Sequence, residues 1–147
     1  MTTIPALTAI PVTDNRALTR RWTDLLTLSR VGTRTLWLAW LRPDGTMPPL
    51  LVPIDGMPER ATAAGLRNLV GLLAEVAGLE DIDPDALHLT MTLERPSPIS
   101  SDGGETDDEW CDVVEDDVAS RLEQGCSFHV FDGRSAVQLL PRPHWPL

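Results

Sequence analysis

A chain of 147 residues is the size of one domain and can bury roughly 70% of its unfolded surface. Hydrophobic residues at 42% and charged residues at 23% exclude disorder along the whole length. Twenty-two acids against twelve bases, a net charge of -10, exclude nucleic acid and anionic membranes as partners, because no basic stripe is present to hold phosphates.

Residues 1–12 carry two prolines and no period, and read as a flexible N-terminal arm. They lack the basic start and long apolar run of a secretory leader. Elsewhere no apolar run approaches the ~18 residues of a membrane span, so a cytoplasmic protein is expected. All twelve bases are arginine, a bias that reflects a GC-rich coding sequence of the actinobacterial kind.

A single globular domain is expected over 13–140. Thr13 or Asp14 caps a helix that ends near Ser29 to Gly32, with Leu18, Trp22, Leu25 and Leu26 on one face. Residues 34–42 (RTLWLAWLR) read as a strand entering the turn Pro43-Asp44-Gly45. Residues 46–54 return as a second strand, and Pro48, Pro49 and Pro53 restrict it to a sheet edge. Pro58 opens a second helix over 59–77 with a broad apolar arc (Leu66, Leu69, Val70, Leu73, Val76 and Ala77), stopped at Gly78. In 86–94, Leu87, Leu89, Met91 and Leu93 alternate with His88, Thr90, Thr92 and Glu94, which predicts a strand with one buried and one polar face. After a loop over 95–105, Thr106 to Glu109 spell a T-x-x-E capping box, opening a helix through Trp110, Val113, Val114, Val118 and Leu122 to Gly125. Residues 126–132 and 135–140 form a hairpin around Asp132-Gly133, and 141–147 form an irregular tail. The expected class is α/β (α+β): a single mixed sheet with three helices packed on it, in the order α-β-β-α-β-α-β-β.

The most distinctive feature is charge. Nine acids and no base lie between Asp102 and Asp117, leaving thirteen acids against twelve bases elsewhere. At about 100° per residue, Asp108, Asp112, Glu115, Asp116 and Glu123 gather away from the apolar stripe, and Asp117 is placed to pair with Arg121. Such a face is either a solvated helix surface or a docking face for a basic partner. A divalent-cation site is the third option.

The motifs of chemistry are missing or incomplete. Asp81 to Asp85 resembles the start of a calcium loop, but Ala86 stands where glycine is needed and Thr92 where glutamate is needed. His88, His129 and His144 have no second ligand at metal spacing, and Cys126 and His129 should point to opposite faces of a strand. Cys111 and Cys126 read as small half-buried apolar residues. Trp37 and Trp40 also face opposite ways, so at least one belongs to the core and Trp40 is a candidate contact residue.

The C-terminal half resembles the JAB/MPN (RadC-like) superfamily. That family follows a strand with H-x-H-P, a loop, and S-x-x-D at a helix start, and these residues hold a catalytic zinc. Here the strand ends in Leu93-Glu94-Arg95-Pro96, and Thr106-Asp107-Asp108-Glu109 opens the helix. CSFHVFDGRSAVQLL is similar to the later strands, and the match of order spans residues 33–140. Leu93 and Arg95 occupy both histidine positions and Glu109 the aspartate position. The resemblance therefore implies a scaffolding member with no metal, no cofactor and no enzymatic activity.

The expectation is a non-catalytic protein-binding domain, scaffold or regulatory, whose partner is a protein and a basic one. Its contact residues are Asp107, Asp108, Asp112, Glu115, Asp116 and Trp40. A small immunity or antitoxin-type protein neutralising a basic partner is the neighbouring alternative. The rival from another class is a hydrolase assembled from His88, Glu94, His129 and Cys126. Homo-oligomerisation is left open.

Overall fold

The computed structural model describes residues 10–29, 34–48, 51–57, 86–95, 104–143 and 145, together with 62, 65, 71 and 75. Its elements are α1 (Asn15–Ser29), β1 (Thr35–Leu41), β2 (Val52–Asp55), β3 (His88–Glu94), α2 (Gly104–Val113), β4 (Cys126–Phe131) and β5 (Ala136–Leu140). A π-helical turn over Val114–Val118 and a 3-10 turn over Ala119–Arg121 extend α2.

The five strands form one sheet in the order β2-β1-β3-β4-β5. β1 runs antiparallel to β2 and β3, β3 and β4 are parallel, and β4 and β5 are antiparallel. The parallel pair follows from the crossover through α2, since parallel neighbours cannot be joined by a tight turn. The mixed sheet is therefore as expected. Two α-helices are delimited among the described residues, however, where the periodicity predicts three, so the order there is α-β-β-β-α-β-β. Most of the helix expected over 59–77 lies outside the described residues. Within it, Thr62 Oγ1 accepts the Gly65 backbone N–H at 3.1 Å.

Local signals account for the ends of α1 and β1. Asp14 Oδ1 accepts the Ala17 N–H at 2.7 Å and caps α1. The turn after β1 needs Gly45, which has φ +86° and lies so close to Val12 that a Cβ would meet its carbonyl oxygen at 2.1 Å. Val12 donates its N–H to the Gly45 carbonyl and is 1% exposed. The segment expected to be a flexible arm is thus tied to the core at residue 12. In the C-terminal segment, Asn15 and the Arg142 backbone exchange two hydrogen bonds, of 2.9 and 3.0 Å.

β1, β3 and β4 are buried along their whole length. One face of the sheet packs Leu36, Leu38, Trp40, Leu89, Met91, Leu93, Cys126, Phe128 and Val130 against Trp110, Val114 and Val118 of the α2 segment. The other packs Trp37, Ala39, Leu41 and Phe131 against Leu18, Trp22, Leu25 and Leu26 of α1. The polar face of β3, His88, Thr90, Thr92 and Glu94, expected opposite a buried one, is itself 0–2% exposed. Among the described residues no helix is long and apolar enough to cross a membrane.

Candidate functional site

The α2 segment is where charge and structure meet. It starts at Gly104, so Thr106 and Glu109 lie inside the helix and not at its cap. An i, i+4, i+8 stripe drifts around an α-helix of 3.6 residues per turn. The wider turn over Val114–Val118 offsets that drift, and Trp110, Val114 and Val118 are each 0–1% exposed. The ion pair expected between Asp117 and Arg121 does not form in this segment of π and 3-10 turns.

Asp108, Asp112, Glu115 and Asp116 are exposed, as the projection predicts, and Glu123 is exposed beyond the helical segment, which ends at Arg121 and not near Gly125. Their field is felt locally: burial pushes the Cys111 thiol above its usual range, and Glu115, Asp112 and Asp108 push it further. Two of the expected contact residues do not belong to this surface. Trp40 is 3% exposed and packs in the apolar layer, because the α2 segment covers the sheet face to which it points. Asp107 is 6% exposed and its carboxylate lies 3.5 Å from the Arg95 guanidinium. Burial raises the Asp107 carboxyl and the Arg95 charge pulls it partly back. This ion pair joins the end of β3 to the first turn of α2.

The opposite face of the sheet carries a buried polar layer that the alternation of β3 indicates only in part. His88 Nδ1 donates to the Gln124 carbonyl at 2.9 Å, leaving Nε2 to share a 3.0 Å bond with the Ser127 hydroxyl. Ser127 and Thr90 hydroxyls lie 2.8 Å apart, and the Trp22 indole N–H donates to Thr90 Oγ1 at 2.8 Å. Further along, Thr19 Oγ1 donates to the Asn15 carbonyl and meets His129 Nε2 at 2.9 Å, and Thr23 Oγ1 accepts the Ala136 N–H. The Trp37 indole donates to Glu94 Oε1 at 3.0 Å. Asn15, Thr19 and Thr23 recur every four residues on α1, and that spacing is the signal in the sequence for this second, polar edge of the helix.

Burial drives both imidazoles down to about 4, so they are neutral at pH 7. His88, Glu94 and His129 do share one face, but Cys126 lies in the apolar layer on the other, where burial pushes its thiol far up. The four residues of the hydrolase reading are therefore split by the sheet itself. Among the described residues no group of three or more His, Cys, Asp or Glu is placed to hold a metal ion. His144 and the Asp81–Asp85 run lie outside the described residues.

One surface was not anticipated. An open groove of about 560 Å³ lies between α1 and β5, lined by Asn15, Arg16, Thr19, Arg20, Ala136, Val137 and Gln138. The molecule thus has a two-faced mixed sheet, an acidic helix over one face and a groove beside the other. No family model, curated protein or solved structure matches the chain.

Proposed function

We propose that this protein is a non-catalytic, metal-free protein-binding domain that docks a basic partner on the exposed acids of the α2 segment. The observation that carries the reading is charge concentration. Nine of twenty-two acids lie in sixteen consecutive residues without a base, and Asp108, Asp112, Glu115 and Asp116 among them stay exposed and without an ion-pair partner among the described residues. An acidic face raises the rate of encounter with a basic surface and makes it sensitive to salt.

The kinship with a degraded JAB/MPN domain belongs to the same proposal. Where that resemblance places two histidines, Leu93 is in the apolar layer and Arg95 pairs with Asp107. An ion pair then joins strand end and helix start where the family uses zinc. The neutral, buried state of His88 and His129 also favours binding over hydrolysis, since neither ring reaches solvent.

The test uses the full chain as bait beside D108N/D112N/E115Q/D116N, at low and high salt. Any basic protein captured is then purified and titrated against both. The expected result is an association rate at least tenfold lower for the variant at low salt, converging with wild type at high salt. Equal rates at low salt would reduce the acidic face to a solvated surface.

A further inference from the structure

We infer that the outer edge of β5, with which no other described strand pairs, is a second docking site that takes an extended acidic segment of a partner protein as a sixth strand. The two ends of the sheet are built differently. β2 is four residues long and contains Pro53, which has no N–H to offer, so that edge is blunted. β5 contains no proline and no charged residue, and nothing in the strand discourages pairing.

The register shows which groups are on offer. Ala136 sits opposite Phe131 and sends its N–H away from β4, to Thr23 Oγ1 at 3.0 Å. Outward and inward groups alternate along an antiparallel strand. Val137 therefore bonds to β4, and Gln138, opposite His129 and just before the register shift between Phe128 and His129, presents its N–H outward. No backbone or side-chain partner for that N–H is present among the described residues. Beside them lies the groove along α1.

The lining of that groove chooses the ligand. Arg16 and Arg20 are one turn apart on α1, exposed, and in no ion pair among the described residues. Two free guanidinium groups on a chain of net charge -10 are the complement of acidic side chains, not of basic ones. On the other side of the strand Val137 is 39% exposed, one of two large apolar side chains left open among the described residues. Alternate residues of an added strand face opposite sides. A segment alternating acidic and β-branched residues would set its acids toward Arg16 and Arg20 and its apolar side chains beside Val137. Main-chain bonds to Gln138 then supply affinity, and the arginines supply selection.

The probe is a fluorescein-labelled ten-residue peptide of alternating glutamate and valine, titrated into the full chain by fluorescence anisotropy. Its lysine–valine and glutamate–proline counterparts serve as controls. Saturable binding is expected for the glutamate–valine peptide alone. R16E/R20E should weaken it at least tenfold, and Q138P, which removes the outward N–H but no bond to β4, should do likewise. Because Q138P is informative only if folded, hydrogen exchange of the wild type is read in parallel, and the Gln138 amide should gain protection when peptide is added. Equal binding of the glutamate–proline peptide, or no gain at Gln138, would overturn strand addition. Equal binding of the lysine–valine peptide, or none of any peptide, would overturn an acidic ligand. Sedimentation of the chain alone tests the remaining occupant: a dimer lost in Q138P would assign the edge to a second copy and overturn the partner-segment proposal.

Discussion

Each face of the sheet packs an apolar cluster under a helix, but only the α1 face adds a layer of buried polar side chains. Under the α2 segment the layer is aliphatic and aromatic, with Trp110 stacked on Phe128 at 6.4 Å between ring centroids. Under α1 the sheet presents His88, Thr90, Thr92, Glu94, Ser127 and His129, and the helix answers with Thr19, Trp22 and Thr23. An apolar layer is stabilised by area and tolerates small slides. A buried polar layer is stabilised only when each donor meets its acceptor, so it fixes one registration of α1 on the sheet. It also carries a cost, since Thr92 Oγ1 and His129 Nδ1 are buried without a partner among the described residues. The comparison teaches that both sides of the sheet contribute apolar burial, while the α1 side also fixes register.

The largest effect that would sharpen this contrast is in the apolar layer. Trp110→Ala removes a side chain that is 1% exposed and leaves a cavity against Phe128, so a loss of about 4 kcal/mol is expected by urea unfolding. A loss under about 1 kcal/mol would break the comparison, because it would mean the layer collapses without penalty.

The polar layer should reveal itself through pH. His88 and His129 are held down to about 4 when folded against an ordinary value of 6.5. Between those values the unfolded chain binds more protons, so stability is full above about pH 6.5 and falls as pH drops toward 4. The interval corresponds to roughly 3 kcal/mol per histidine. Asp107, whose carboxyl is raised by burial, works in the opposite sense at the acid end. His129→Gln keeps an N–H for Thr19 without a titratable ring, and should remove about half of the slope between pH 6.5 and 4. An unchanged slope would show that the His129 ring is not desolvated as described.

The smallest effect is expected at the acidic face. D108N/D112N/E115Q/D116N alters only exposed side chains, and each change should shift stability by less than about 0.5 kcal/mol. A larger loss in thermal unfolding would mean that these acids hold the fold and are not a free surface.

Much of the fold is legible in the residues. The Asp14 cap, the Pro43-Asp44-Gly45 turn, the strand at β3 and the Asp132-Gly133 turn follow from local signals, and the structure has each at its expected place. The acidic face is legible too, because helical projection needs only spacing. Trp40 and Asp107 were misplaced because their burial depends on what lies across from them. A tryptophan on a strand reads the same whether a helix covers it or solvent does. The T-x-x-E cap failed for a related reason: α2 begins two residues earlier and turns Asp107 inward to Arg95.

The sequence by itself determined the five strands, the two helices delimited among the described residues, the edge position of β2 and the exposed acids, because periodicity, proline chemistry and charge act over a few residues. Only the tertiary structure decided that the polar face of β3 is buried, that Trp40 is covered and Asp107 turned inward to Arg95, and that β5 lies at the edge of the sheet beside Arg16 and Arg20. Those outcomes depend on which strand pairs with which, and pairing is fixed by burial and backbone hydrogen bonds between residues far apart in the chain.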